Sequence, residues 1–314
     1  MDFPFTSEMI IELHDCAICP RNCHANRFSK KPGYCNTSAS LSISSICVHR
    51  GEEPPISGAD GICNIFFTGC NLQCIFCQNY QISNKRFSRA ANERPLSVIL
   101  DQITSILDKG INRVGFVSPS HCIPQMKLII KGLHSIGYRP KMVFNTNAYD
   151  RVETIRSLEG IIDVYLPDFK YMEEKLAKDY SDAKDYPEVA SSAIKEMYRQ
   201  KGAALHLDEF GRAESGIIIR HLVLPGHIEN SLKVLQHIAT EISAKIHISL
   251  MSQYYPTPQV SCHPELNRTL TAAEYREVAG EMENLGMENG WIQELGSTSH
   301  YKPDFERINP FEES

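Results

Sequence analysis

Six short apolar runs, at residues 62–67, 111–117, 142–145, 161–166, 217–224 and 246–251, each end in polar or turn-forming residues and lead on to a segment of helical period. That alternation constrains the fold more than any other feature. In the first unit Leu96, Leu100, Ile103 and Leu107 recur at helical spacing, Pro95 suits a first helical turn, and Gly110 follows the end, so the expected helix covers 95–109. Further helices are expected over 124–136, 152–158, 187–200, 230–242 and 271–285. Strands joined by helices run parallel and are buried on both faces, and such a sheet curls. The expected architecture is α/β, a partial (β/α)6 TIM-like barrel of about six units. Residues 171–216 make a longer polar excursion, with a hairpin expected around 208–216, and are read as an insertion that could act as a lid.

In such barrels chemistry gathers where strands end at their C-terminal side. The polar residues of this chain fall there repeatedly: a cysteine loop after the first strand, then Ser118-Pro119-Ser120, Asn145-Thr146-Asn147, Asp168-Phe169-Lys170 and Gln253-Tyr254. Each alone could be a cap or turn residue, above all Ser118 and Asn147. Together they predict one polar mouth.

The cysteine loop carries Cys70-x3-Cys74-x2-Cys77. Three thiolates can hold a cube of four irons and four sulfides by three corners, whereas ordinary electron-transfer clusters use four cysteines. The fourth iron is left open. Eleven cysteines, an odd number clustered toward the front, do not suit a disulfide framework. Cys16, Cys19, Cys23 and Cys35 lie on turns bearing Pro20 and Gly33, and predict a knuckle for a structural zinc or a second iron-sulfur cluster. His24, Cys47, His49 and Cys63 are left out of that ligand set, and Cys122 and Cys262 are expected as small buried hydrophobes. The segment 49–58 is dense in turn formers and reads as a linker or wrapping loop, so residues 1–57 are expected as a metal-binding segment and residues 58–314 as the barrel.

Composition excludes more than it assigns. Charged residues at 22% and hydrophobic ones at 42% suit an ordinary globular chain, and no apolar run approaches the ~20 residues of a spanning helix. The first residues are acidic and lack the features of a secretion signal, so the expected location is cytoplasmic, away from membranes. A net charge of -6 gives no reason to expect nucleic acid.

With its preceding strand and the aromatic Phe76, the Cys70-x3-Cys74-x2-Cys77 loop resembles the radical S-adenosylmethionine (SAM) signature. Gly58-Ala59-Asp60-Gly61, Phe66-Phe67-Thr68-Gly69-Cys70-Asn71, Gln78-Asn79, Asp168-Phe169-Lys170 and Arg220-His221-Leu222-Val223-Leu224-Pro225-Gly226 are similar to the pyruvate formate-lyase activating enzymes. The resemblance covers roughly residues 58–260. The Cys-Pro-Arg-Asn-Cys knuckle and Gly51-Glu52-Glu53-Pro54-Pro55-Ile56-Ser57-Gly58 resemble a subgroup of homologues of those activating enzymes.

The resemblance implies the radical SAM fold and its cofactors. A [4Fe-4S] cluster on Cys70, Cys74 and Cys77 would chelate SAM, and an electron from a flavodoxin- or ferredoxin-like reductant would cleave it to a 5′-deoxyadenosyl radical. That radical takes a hydrogen atom, in an activating enzyme from a glycine of a partner glycyl-radical enzyme. By the same resemblance Phe76 lies against the adenine. Asp168 and Lys170 match an Asp-x-Lys motif near the SAM carboxylate, in some relatives with a monovalent cation. Arg220 lies near the methionine moiety and Tyr254 near the ribose. Asp168 and Lys170 could instead brace the rim, and Arg220 could be a buried partner of a carboxylate.

Two departures stand out. In place of the Gly-Gly-Glu-Pro that most relatives direct at the SAM amino group, this chain has Val117-Ser118-Pro119-Ser120-His121, where Ser118 and Ser120 can accept a hydrogen bond but offer no charge. No eight-cysteine insert follows Cys77, so further electron-transfer metal would have to sit at the knuckle. Three functions follow in order: activation of a glycyl-radical enzyme, the same chemistry on another peptide or small molecule, and a non-catalytic iron-sulfur or zinc protein. Against the last stands the open iron.

Overall fold

The computed structural model describes residues 5–29, 33–84, 92–296, 302–307 and 309–311. Helix α1 (Ser7–His14) is capped by the Thr6 hydroxyl and leads into the turns that carry the first cysteines. Strand β1 (Ile43–His49) runs antiparallel to β2 (Ile62–Phe67), and between them the one-turn helix α2 (Pro54–Ser57) crosses beneath the sheet. After the cysteine loop and the short α3 (Tyr80–Ser83) comes α4 (Leu96–Leu107), whose buried face is Leu96, Ile99, Leu100, Ile103, Ile106 and Leu107.

The alternation then proceeds as the apolar runs require. Strand β3 (Arg113–Val117) leads to α5 (Ile123–Ser135), β4 (Lys141–Thr146) to α6 (Val152–Arg156), and β5 (Val164–Pro167) to α7 (Glu174–Ser181) and α8 (Tyr186–Lys201). A short β6 (His206–Leu207) makes the expected hairpin with β7 (Ala213–Leu222). Then follow α9 (Ile228–Ile238), β8 (His247–Met251), α10 (Ala272–Asn284) and β9 (Gly290–Ile292).

The sheet order is β1-β2-β3-β4-β5-β7-β8-β9, with every pair from β2 onward parallel. Strands β1 and β9 are its two ends, so the barrel stays open. One cavity receives Phe66, Val117, Asn145, Arg220, Ser249 and Trp291 from six different strands, which shows that the sheet wraps around it. The helices pack outside against one large apolar core. A smaller core of Ile56, Ile62, Val143, Val164, Leu166, Ala213 and Ile218 closes the bottom.

Several details depart from the reading of the sequence. Strands β1 and β9 and helices α1 and α7 were not expected. Residues 54–57 form a helical turn within the stretch read as linker, because Pro54 and Pro55 suit a first turn. No residue of the excursion after β5 lines the cavity: α8 buries Ala190, Ala193, Ile194 and Met197 as the outer helix between β5 and β7, and the end of α7 meets the cysteine loop. Cys122 is buried as expected, whereas Cys262 is exposed, in the loops between β8 and α10. Among the described residues no helix is long and apolar enough to cross a membrane.

Candidate active site

The cysteine loop is held from four directions. Gly69 turns it at φ +84, where an added Cβ would stand 2.9 Å from the Cys35 carbonyl oxygen, so the N-terminal segment packs directly against the turn. Asn71 donates to the Tyr149 carbonyl at 2.6 Å, the Ile75 amide to the Tyr180 carbonyl at 2.9 Å, and Thr257 Oγ1 to the Ile75 carbonyl at 2.6 Å. Arg21, inside the Cys-Pro-Arg-Asn-Cys motif, donates to the Asn71 carbonyl at 2.8 Å and the Ser181 carbonyl at 3.2 Å, with its guanidinium 3.8 Å from the Tyr34 ring centre.

Each sulfur is addressed by donors. Asn147 Nδ2 and the Leu72 amide both lie 3.4 Å from Cys70 Sγ, Ser181 Oγ lies 3.0 Å from Cys74 Sγ, and Ser83 Oγ lies 3.3 Å from Cys77 Sγ. All three cysteines line a cavity of about 380 Å³. Burial pushes their thiols up, Cys77 to about 11, so the ligating thiolate form calls for a metal to carry its charge. Among the described residues no three His, Cys, Asp or Glu side chains converge on a single ion. A cube bound at separate corners does not require that convergence. Three donor-supported sulfurs beside the cationic Lys170 fit a cluster better than a lone ion.

The ends of β3, β4, β5 and β7 complete the wall. Ser118, Asn145, Asn147, Asp168, Lys170, Arg220 and Phe76 all line the cavity. Lys170 Nζ lies 2.7 Å from Asp168 Oδ2, and Arg220 donates to Asp168 Oδ1 at 2.9 Å, Asn145 Oδ1 at 2.6 Å and Glu52 Oε2 at 3.2 Å. Burial alone would lift Asp168, but Arg220 and then Lys170 outweigh it and hold the carboxyl below its usual range. Burial likewise opposes the charge on Lys170, and Asp168 outweighs it, so Lys170 stays firmly protonated. These residues thus brace one another in one network that opens onto the cavity.

Two expected residues are not on the wall. Ser120 is fully buried with Oγ 3.0 Å from Thr146 Oγ1, and Tyr254 is buried with its hydroxyl donating to the Leu266 carbonyl at 2.6 Å. Tyr254 stands behind Phe76, ring centres 6.2 Å apart, and supports that ring. The sequence reading missed Glu52, Glu53 and His49, which line the cavity from below, and Tyr186. Tyr186 Oη accepts from the Lys170 amide at 3.0 Å and lies 2.7 Å from the Asp168 carbonyl oxygen, tying the Asp-x-Lys backbone to α8. The double carboxylate in Gly51-Glu52-Glu53-Pro54 was the available signal.

In the N-terminal segment the buried Arg27 guanidinium points Nε at Cys16 Sγ, 3.2 Å away, and a terminal nitrogen at Cys35 Sγ, 3.7 Å away, while donating to the His121 carbonyl at 2.6 Å. Burial pushes the Cys19 and Cys122 thiols up to about 12, and the nearby Cys35 and Cys16 add to the effect. Cys23 stands at the edge, its Sγ accepting from the Tyr34 amide at 3.3 Å. The four expected knuckle thiols are thus gathered in one segment but not posed around a common centre.

Residues 64–235, more than half the chain and including the cysteine loop and the Asp-x-Lys strand end, match the Radical SAM superfamily. The chain belongs to the Radical SAM superfamily. The uncharacterized protein MJ0674 of Methanocaldococcus jannaschii is similar to it, 29% identical over 276 residues that cover 86% of this chain and 73% of that one. Among solved structures, HydG, a maturase of the [FeFe]-hydrogenase, aligns with a TM-score of 0.50 at 12% identity over 74% of this chain, which spans about half of HydG, 52% of its length. A domain of pyruvate-formate lyase-activating enzyme from Bacteroides vulgatus aligns at TM-score 0.38 and 14% identity, covering 55% of this chain and 93% of that domain. Membership of the radical SAM superfamily, together with its open parallel barrel, implies a [4Fe-4S] cluster and SAM, and the donor-supported thiols fit them.

Proposed function

We propose that the chain is a radical SAM enzyme that abstracts a hydrogen atom from a substrate held in the barrel cavity. When bound, the cluster and SAM supply the oxidising 5′-deoxyadenosyl radical. The chain's own residues do the rest. Cys70, Cys74 and Cys77 hold the iron, while Asn147, Ser181 and Ser83 orient their sulfurs. Phe76, backed by Tyr254 and Tyr171, offers a flat apolar face for a purine. Lys170 and Arg220, partly neutralised by Asp168, stand where a carboxylate would be received, and a monovalent cation beside Asp168 is a further proposal. The enclosing strands keep water from a reactive radical.

The observation that carries this reading is that the three thiols and the Asp168–Lys170–Arg220 network line one cavity. Anaerobic reduction of the iron-loaded protein with dithionite should release 5′-deoxyadenosine from SAM, with the Cys74→Ala variant inactive. No nucleoside from the native chain, or an equal yield from the variant, would sink it.

Abstraction from glycine of a partner enzyme is supported by the sequence resemblance. Its signature would be a glycyl-radical doublet in electron paramagnetic resonance when a candidate partner is added. The charged floor favours the second reading, a small polar molecule or side chain that enters the barrel. The N-terminal thiols are proposed to bind zinc or a second cluster, and what supports this is Arg27: a buried guanidinium cannot lose its proton and needs anionic sulfur beside it. A flavodoxin- or ferredoxin-like reductant and a cytoplasmic setting complete the proposal.

A further inference from the structure

The floor of the cavity holds three carboxylates and two cations. Arg220 and Lys170 bind Asp168, and Glu52 is satisfied by Arg220 at 3.2 Å and by Asn64 Nδ2 at 2.8 Å. Glu53 is left over. It is 9% exposed, lines the same cavity, and its Oε2 has no hydrogen-bond partner among the described residues. The Ser249 hydroxyl lies against its carboxyl group, and His49, whose Nδ1 also lacks a partner, lines the cavity with it.

Charge bookkeeping points to what is missing. Ionised Asp168, Glu52 and Glu53 together outnumber Lys170 and Arg220 by one, and a net negative charge among buried side chains is costly. Burial lifts the Glu53 carboxyl above the ordinary range, Arg220 opposing and Glu52 adding to the effect. Burial also holds His49 below the usual imidazole range, so it stays neutral and repels no cation. A carboxylate ligand set against Glu53 would meet its like charge and that of Glu52. A neutral alcohol would leave the charge unmatched.

We infer that the substrate presents a positively charged nitrogen, an ammonium or guanidinium group, to Glu53 and Ser249 at the floor of the barrel, with its reacting carbon above, toward the cysteine loop. The N–H groups would donate to the Glu53 carboxyl group and to Ser249 Oγ. This rests on the reading of the cavity as the substrate site.

The test uses the iron-loaded protein saturated with SAM, so that the cations of SAM are already seated. Thermal unfolding is followed with n-butylammonium, n-butanol and butyrate at matched ionic strength. Butylammonium should raise the unfolding temperature saturably and bind about tenfold or more tightly than the other two. Glu53→Gln should weaken butylammonium by about tenfold or more and erase its advantage over butanol, while Glu277→Gln, on the exposed face of α10, should not. An equal response to the three probes, or an undiminished one in Glu53→Gln, overturns the inference. Should that variant fail to fold, the ranking of the three probes on the native chain decides alone. If the same preparation makes no 5′-deoxyadenosine, both readings fall; if it does and shows no preference for the amine, only this one falls.

Discussion

Asp168 is the residue on which the charge network turns. Among the described residues it alone forms ion pairs with both Lys170 and Arg220, and none of the three side chains is more than 18% exposed. Replacing it with Asn would take from Lys170 and Arg220 the carboxylate that they share. Breaking a buried pair on one side costs about 3–5 kcal/mol. Urea unfolding of Asp168→Asn should therefore show a loss of that order, and a change under about 0.5 kcal/mol would mean that the network contributes nothing. At the level of residues the sequence was informative where a motif marked a strand end, as with Asp168 and Lys170, which line the cavity. It was silent where a polar residue hides in an apolar run. Asn64 sits in the middle of β2, yet it holds Glu52, and Gly115 on the neighbouring strand leaves room for it: an added Cβ there would lie 2.1 Å from Asn64 Oδ1. Gly115→Ala should destabilise the chain by about 1–3 kcal/mol or more through that clash.

Among elements, the N-terminal segment and α7 act on the cysteine loop from outside the barrel. Arg21 grips the Asn71 and Ser181 carbonyls, and Ser181, the last residue of α7, meets Cys74. Arg21→Ala should leave the far-ultraviolet circular dichroism unchanged while the loop loses iron to a chelator about tenfold faster or more. Equal loss rates would show that the segment is a bystander. The six expected strands and their helices were legible because burial on both faces makes each strand a continuous apolar run. Strand β1 was not, because its buried face is Ile43, Ser45, Cys47 and His49, while Ile46 and Val48 are only half-buried. The buried face is half polar and Ile46 and Val48 pack against the core from the other side, so the usual alternation is blurred. His49 at the end of β1 lines the cavity. Helix α7 was missed for a similar reason, since its sequence is largely charged and its value lies in where its end points.

For the whole molecule, two buried groups set opposing pH dependences. His221, held between the Phe169 carbonyl and Ser231 Oγ, is pushed by burial down to about 4. The unfolded chain takes up that proton near pH 6.5 and the folded chain does not, so this contribution to stability falls as pH drops from about 6.5 to about 4. Asp150, buried beside Thr146 and Ser120, is pushed by burial up to about 6. It keeps a proton that the unfolded chain has lost, so its contribution falls as pH rises from about 3.8 to about 6. At about 1.4 kcal/mol per pKa unit each amounts to about 3 kcal/mol, and they nearly cancel. Asp150→Asn should expose the first, making stability drop by about 3 kcal/mol between pH 6.5 and 4 relative to the native chain. A parallel pH profile in the two proteins would contradict both assignments. None of this was readable in the sequence, where Asp150 and His221 are a loop residue and a strand residue like others.

In the proposed function, the three-cysteine loop holds a cluster with one iron open to SAM. The most direct measurement is electron paramagnetic resonance of the reduced, iron-loaded protein with and without SAM, on the native chain, on Cys74→Ser, and on Cys16→Ser/Cys19→Ser. A [4Fe-4S] signal reshaped by SAM in the native chain, kept in the double variant and lost in Cys74→Ser, is the predicted result. A signal indifferent to SAM, or one that survives Cys74→Ser unaltered, would contradict it.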